Sequence, residues 1–199
     1  MTDKENLMEV VSLKPDLLGF IFYKLSPRNV EEKMEILPLD AIPSGIQKVA
    51  VMVNKDLPEA IEIANRWKFD HVQLHGGESP EYCLEIRKHL PVIKAFALKD
   101  QLPQNLEKYI HCTDYFLFDT QSDKPGGSGK RFDHGVLSHY DLPTPFFLSG
   151  GIGPEFGASE PYFSHPQWWA VDINSRFEDR PGIKNISMIK KFMQHELFQ

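Results

Sequence analysis

Asp119 closes an otherwise apolar run, Tyr115-Phe116-Leu117-Phe118, and apolar surroundings favour the protonated form of a carboxyl group. A carboxylic acid so placed can act as a general acid, or it can cap a neighbouring loop from within. Gly150-Gly151 follows the apolar run Phe146-Phe147-Leu148-Ser149 and precedes Ile152-Gly153-Pro154. Glycines there let backbone N–H groups approach an anion with no Cβ in the way, although the same pair can make a plain tight turn. Asp172-Ile173-Asn174-Ser175 ends the last apolar run; Asn174 and Ser175 are polar caps at which a short helix can begin. Asp172 itself suits either a binding site or internal hydrogen bonding. His75, after His71-Val72-Gln73-Leu74, is either a strand-end polar group or part of a pocket lining. Arg28, after Ser26-Pro27, can hold a carboxylate through two parallel N–H bonds or lie solvated in a loop.

Other groupings carry less. Pro125-Gly126-Gly127-Ser128-Gly129-Lys130 lacks the first glycine of a nucleotide P-loop and is followed by Arg131, where Ser or Thr is required. It reads better as a flexible loop over the mouth of a site. His195-Glu196 has no second histidine of a zinc helix, and Cys83 and Cys112 have no metal-ligand spacing. No metal is expected.

The elements that must position these residues alternate. Short apolar runs recur at Leu17–Phe22, Val49–Val53, His71–His75, Val92–Ala97, Tyr115–Asp119, Phe146–Ser149 and Trp169–Ile173. Most are nearly continuous, as parallel strands covered on both faces should be. Helical spacing lies between them. Ala60, Ile61, Ala64 and Trp67 share one face, Ser79-Pro80 caps and starts a helix through Cys83 and Ile86, and Ile186, Ile189, Phe192 and Met193 form a last stripe. Thr2 with Glu5 reads as a capping box ahead of Leu7, Val10 and Val11, so the chain opens on a helix. The fold expected is α/β, a single TIM (β/α)8-type barrel domain over residues 1–199. It has seven strands against eight helices, one of them weak near residues 154–163, and its first strand is missing. In such barrels the chemistry sits at the C-terminal strand ends, where Asp119, His75, Gly150, Gly151 and Asp172 fall, and the last two loops form the recurrent phosphate site.

A net charge of −6 excludes a general nucleic-acid binder, and no apolar run reaches the length of a membrane span. With no signal-peptide pattern at the start, a cytoplasmic location is expected.

Several segments, in order, closely resemble phosphoribosylanthranilate isomerase, a (β/α)8 barrel of tryptophan and hence aromatic amino-acid biosynthesis. They are Leu18-Gly19-Phe20-Ile21-Phe22 with Ser26-Pro27-Arg28, Val72-Gln73-Leu74-His75-Gly76, Leu117-Phe118-Asp119, residues 126–133, Ser149-Gly150-Gly151 and Val171-Asp172-Ile173-Asn174-Ser175. The resemblance covers essentially the whole chain. It implies an Amadori rearrangement of N-(5-phosphoribosyl)anthranilate to 1-(2-carboxyphenylamino)-1-deoxyribulose 5-phosphate, without metal or organic cofactor. It implies that Asp119 protonates the ribose ring oxygen so that the ring opens to a Schiff base. Arg28 would then face the anthranilate carboxylate, with Gly150, Gly151, Asn174 and Ser175 at the phosphate; the Asn-Ser pair departs from a commoner Ser-Ser. The family's base, a cysteine in a Lys-Ile-Cys-Gly-like first strand, matches a position just ahead of Met1, and neither Cys83 nor Cys112 substitutes for it.

Alternatives from the same residues are a non-catalytic phosphosugar-binding barrel that has lost its base, and another phosphate-barrel enzyme. An indole-glycerol-phosphate synthase would want strand-end lysines, but Lys94 lies inside its strand; a sugar-phosphate epimerase would want a metal set. The expected partner is a phosphorylated small molecule, with no nucleic acid or membrane. Without a first strand, edges beside residues 17–23 and 169–175 stay open, and low stability, a homo-oligomer or strand exchange would follow.

Overall fold

The computed structural model describes residues 1–98, 101–120, 134–156 and 161–194. The loop at residues 125–130, the stretch 126–133 and His195-Glu196 lie outside the described residues. Seven strands form one parallel sheet in sequence order: β1 (Leu17–Phe22), β2 (Gln47–Met52), β3 (His71–Leu74), β4 (Val92–Leu98), β5 (Tyr115–Thr120), β6 (Phe146–Leu148) and β7 (Trp168–Val171). All seven runs read from the sequence are strands, with ends shifted by at most two residues. Each strand pairs with the next, and among the described residues β7 and β1 share no pairing. The outer edge of β1 is met by its own following loop, where the Val30 N–H donates to the Ile21 carbonyl at 3.0 Å.

Side chains alternate across the sheet, as the period of two requires. Phe20, Phe22, Ala50, Met52, Val72, Leu74, Phe116, Phe118, Phe146 and Leu148 face outward into the main core, against the helices. Val49, Ile93, Ala95, Leu117 and Phe147 line the concave side, joined by Tyr115 and Ala170. Fully burying each outer phenylalanine contributes roughly 1.5–3 kcal/mol. Asp119 and His75 continue the concave-facing rows of Leu117 and Gln73, which aims both into the open end of the curl.

Four α-helices are described: α1 (Lys4–Ser12), α2 (Leu57–Arg66), α3 (Pro80–Arg87) and α4 (Ile186–Met193). The other connections contain 3-10 turns, at Glu31–Ile36, Leu39–Ala41, Leu106–Tyr109, His134–His139, Pro161–Ser164 and Ser175–Phe177, so the described residues hold four α-helices and six 3-10 turns where eight helices are expected from the sequence. These stretches are too short, or too often broken by proline, to sustain a 3.6-residue period. Ser79 caps α3 through the Tyr82 N–H with Pro80 at its first position, and Asn185 caps α4 through the Met188 N–H. The cap of α1 corrects the sequence reading: Asp3, not Thr2, accepts the Asn6 N–H at 2.9 Å. The Thr2 hydroxyl instead donates to the Gly182 carbonyl at 3.3 Å, which takes it out of competition for the cap. That contact needs a glycine: a Cβ on Gly182, at φ +85°, would meet the Thr2 side chain at 2.3 Å. Gly182 belongs to an antiparallel ribbon the sequence reading missed, β8 (Glu178–Arg180) with β9 (Ile183–Lys184). No described helix is long and apolar enough to cross a membrane.

Candidate active site

Three site residues are held by backbone bonds that extend the strand pairing past the strand ends. The N–H of His75 donates to the Met52 carbonyl, that of Ser149 to Phe118 and that of Asp172 to Leu148, each at 2.8 Å. The C-terminal ends of β3, β5, β6 and β7 thereby converge. His75 Nε2 lies 3.3 Å from Asp119 Oδ2, with both side chains about 30% exposed to the open end of the curl (32% and 29%). His75 Nδ1 contacts the Gln73 amide at 3.0 Å, which holds the ring from its other side. Ser149 Oγ donates to Asp172 Oδ2 at 3.0 Å. Desolvation raises the Asp172 carboxyl above its usual range and the negative charge of Asp119 adds to this; the Ser149 hydrogen bond opposes it.

The two expected anion loops adjoin. Gly150 and Gly151 both adopt positive φ, +81° and +69°, the region that suits glycine and turns two successive N–H groups toward one side. Ser175–Phe177 forms one short 3-10 turn after β7, at the point expected for a helix start. Arg176, unrecognised in the sequence, ties the loops together: its Nη1 donates to the Gly151 carbonyl at 3.1 Å and its guanidinium pairs with Glu155. A Cβ on Gly153 would collide with that guanidinium at 2.5 Å, so Gly153 is there for the close approach.

Arg28 is neither solvated nor in open reach of a ligand in this structure. It is buried, and it grips the Glu178 carboxylate through Nη2 at 2.6 Å and Nε at 2.9 Å. Lys184 Nζ binds the same carboxylate at 3.0 Å and also Asn174 Oδ1 at 2.6 Å. The Asn174 amide therefore serves Lys184, leaving Ser175 and the backbone for an anion. Burial pushes the Glu178 carboxyl up, but Arg28 and Lys184 more than offset this and its pKa is lowered overall. Burial also lowers the Lys184 ammonium against the pull of Glu178. Arg28, Glu178, Lys184 and Asn174 thus form one chain from the β1 loop to the β7 loop, in which two like charges share one carboxylate.

Cys83 sits in the middle of α3 and Cys112 beyond the 3-10 turn at Leu106–Tyr109; both are buried. Burial pushes the Cys83 thiol up to about 12 and raises Cys112 as well, the opposite of what a reactive thiolate needs. Lys94 lies inside β4, as read from the sequence, and faces the outer layer. Among the described residues no group of three or more His, Cys, Asp or Glu side chains could hold a metal ion.

Residues 1–195 match the model of the family described as N-(5'phosphoribosyl)anthranilate (PRA) isomerase. The N-(5'-phosphoribosyl)anthranilate isomerase of Parabacteroides distasonis is 43% identical, the match covering 99% of this chain and 90% of that protein. That of Phocaeicola vulgatus is 35% identical over 97% of this chain and 93% of its own length. The crystal structure of phosphoribosyl anthranilate isomerase from Thermotoga maritima superposes with a TM-score of 0.82 at 30% identity, covering 98% of this chain and 94% of that one. A crystal structure of the isomerase in complex with reduced 1-(o-carboxyphenylamino)-1-deoxyribulose 5-phosphate superposes with a TM-score of 0.79 at 27% identity, covering 98% of this chain and 94% of that one.

Proposed function

The chain belongs to the N-(5'-phosphoribosyl)anthranilate isomerase family, and on that premise we propose how its strand ends divide the work of that reaction. The enzyme is an isomerase of tryptophan biosynthesis, turning N-(5'-phosphoribosyl)anthranilate into the corresponding aminoketose phosphate. Asp119 donates its proton to the ribose ring oxygen. The C1–O bond breaks as the anilino nitrogen lone pair forms the Schiff base, and loss of the C2 proton then gives the enol-amine that becomes the ketose. Neither Cys83 nor Cys112 takes the C2 proton, because both are buried away from the C-terminal strand ends with raised pKa values.

The single observation that carries this reading is the 3.3 Å contact of Asp119 with His75 at the open end of the curl. A carboxyl group there meets both solvent and a polar partner able to orient it. Asp172 lies beside it at the end of β7, its own carboxyl raised by desolvation and further by the charge of Asp119. The phosphate is assigned to the backbone N–H groups around Gly150-Gly151 and to Ser175 with the backbone beside it, and the substrate carboxylate to the net positive charge at the Arg28 end rather than to a direct grip by its engaged guanidinium. At that end Arg28 and Lys184 bring two positive charges against the one of Glu178. A second copy of the chain, or an exchanged strand, covers the edges of β1 and β7.

Asp119→Asn tests the acid. Turnover is expected to fall by roughly 10²- to 10⁴-fold, while the reduced aminoketose phosphate still binds. Turnover within a factor of two or three of the parent would remove Asp119 from the role.

A further inference from the structure

Lys94 is a charged side chain buried on the side of the sheet that should be apolar. It shares the outer face of β4 with Val92, Phe96 and Leu98, is 3% exposed, and stands 5.5 Å from the centre of the Phe96 ring. An ammonium has three hydrogens to give. Around Lys94 Nζ lie the carbonyls of Leu74 (3.2 Å), Gly76 (2.8 Å) and Ala95 (3.1 Å), and Glu78 Oε2 (3.1 Å). Two of these carbonyls, Leu74 and Gly76, bracket the His75-Gly76 dipeptide.

Glu78, 2% exposed, works on the same few residues. Its carboxylate accepts the Gly76 N–H at 2.9 Å and the Asn54 N–H at 2.8 Å. Its own carbonyl accepts the Tyr109 hydroxyl at 3.0 Å. Asn54, in the left-handed region at φ +48°, closes the ring by accepting the Gly77 N–H on Oδ1 at 2.7 Å. The packing is close enough that a Cβ on Gly76 would meet Asn54 Oδ1 at 2.3 Å and Glu78 Oε1 at 2.8 Å. The loops after β2, β3 and β4 are therefore knitted into one body beneath His75.

A buried ion pair of this kind adds little to stability over well-packed apolar residues of the same size. What it supplies here is geometry. We propose that the Lys94–Glu78 pair is a positioning device for the acid step, pinning the backbone on both sides of His75-Gly76 and so setting where the imidazole meets Asp119. The proposal rests on the reading of Asp119 as the acid. Lys94 and Glu78 touch no reacting atom in this scheme; they act through His75.

The test uses the double variant Lys94→Met/Glu78→Gln, because removing one partner alone leaves an unpaired buried charge and risks the fold. Its kcat is expected to fall about 100-fold, as for a misplacement of the order of 1 Å, with KM changed by less than about threefold because the phosphate grip is on β6 and β7. The acid limb of its pH–kcat profile should also move. Asn54→Gly suits the positive φ and cuts only the tie to Gly77. It should lower kcat in the same selective way by about threefold, and it stands in if the double variant does not fold. A readout independent of turnover is the shift of the His75 ring Cε1–H resonance on Asp119→Asn, expected in the parent and lost in the double variant or reduced by Asn54→Gly. An unchanged kcat and an unchanged His75 response in the folded variants would overturn the proposal. If Asp119→Asn itself retains turnover, the acid reading fails, and the resonance test still decides whether the pair sets the His75–Asp119 contact.

Discussion

Glu178→Gln is the sharpest perturbation of the charge chain that joins the two ends of the site. The Glu178 carboxylate is 3% exposed and holds Arg28, 8% exposed, and Lys184, 11% exposed, as well as the Gly182 N–H at 3.2 Å. Glutamine keeps the size and one acceptor but leaves two buried cations facing each other across a neutral amide. Breaking a buried pair by neutralising one partner costs about 3–5 kcal/mol, and the retained acceptor places this change near 3 kcal/mol. For a chain of this size that is a fall in Tm of roughly 6–12 °C. The pH dependence has a fixed sign. The folded-state pKa of Glu178 is lowered, so its contribution is complete above the unfolded value of 4.5 and is lost as the pH falls through the folded value. Thermal unfolding of parent and variant at pH 7 should show the full gap, and the gap should close progressively below pH 4.5. A difference that is the same at pH 7 and pH 3, or one below about 1 kcal/mol at pH 7, would refute the claim that Glu178 neutralises this cluster.

Asp172 works in the other direction. Its folded-state pKa is raised, so its charge opposes folding at neutral pH; this cost is absent below the unfolded value of 3.8 and grows as the pH rises through the folded value. Asp172→Asn should therefore raise Tm at pH 7 and lose that gain below pH 3.8, and a variant less stable than the parent at pH 7 would contradict it. Because β1 and β7 do not pair with each other among the described residues, the chain is expected to run as a dimer or larger in sedimentation velocity at micromolar concentration, and a monomer there would exclude a covering copy.

The sheet was legible because each strand is a local signal: an apolar run of four to six residues between turn formers, read without knowing its partners. The positions of Asp119, His75, Ser149 and Asp172 were legible for the same reason, since a polar residue ending an apolar strand marks the functional end of a parallel βα unit. Glu178, Lys184 and Arg176 were not. They fall in the polar stretch from Ser175 to Lys184, which has no periodicity, and Glu178 gains its meaning from an arginine 150 residues away. Lys94 was read only as a misplaced catalytic lysine, because no pattern in β4 signals that its ammonium reaches back to carbonyls of β3. The cap of α1 was ambiguous at source. Thr2 and Asp3 are both good capping residues, and only the distant Gly182 carbonyl decides between them.

The order of the strands bears on how the chain assembles. Every pairing in the large sheet joins a strand to its successor, so each new hydrogen-bonded edge closes a loop of modest length and costs little chain entropy. The bonds from Arg28 to Glu178, from Asn6 to Lys184 and from Thr2 to Gly182 are of another kind, closing loops of 150, 178 and 180 residues. Such closures come after the sheet has shortened the distance between their ends. The sheet can therefore zip from either side as a sequence of small steps, whereas the charge chain that joins the β1 loop to the β7 loop is completed last. By the same logic it is the first part released on unfolding.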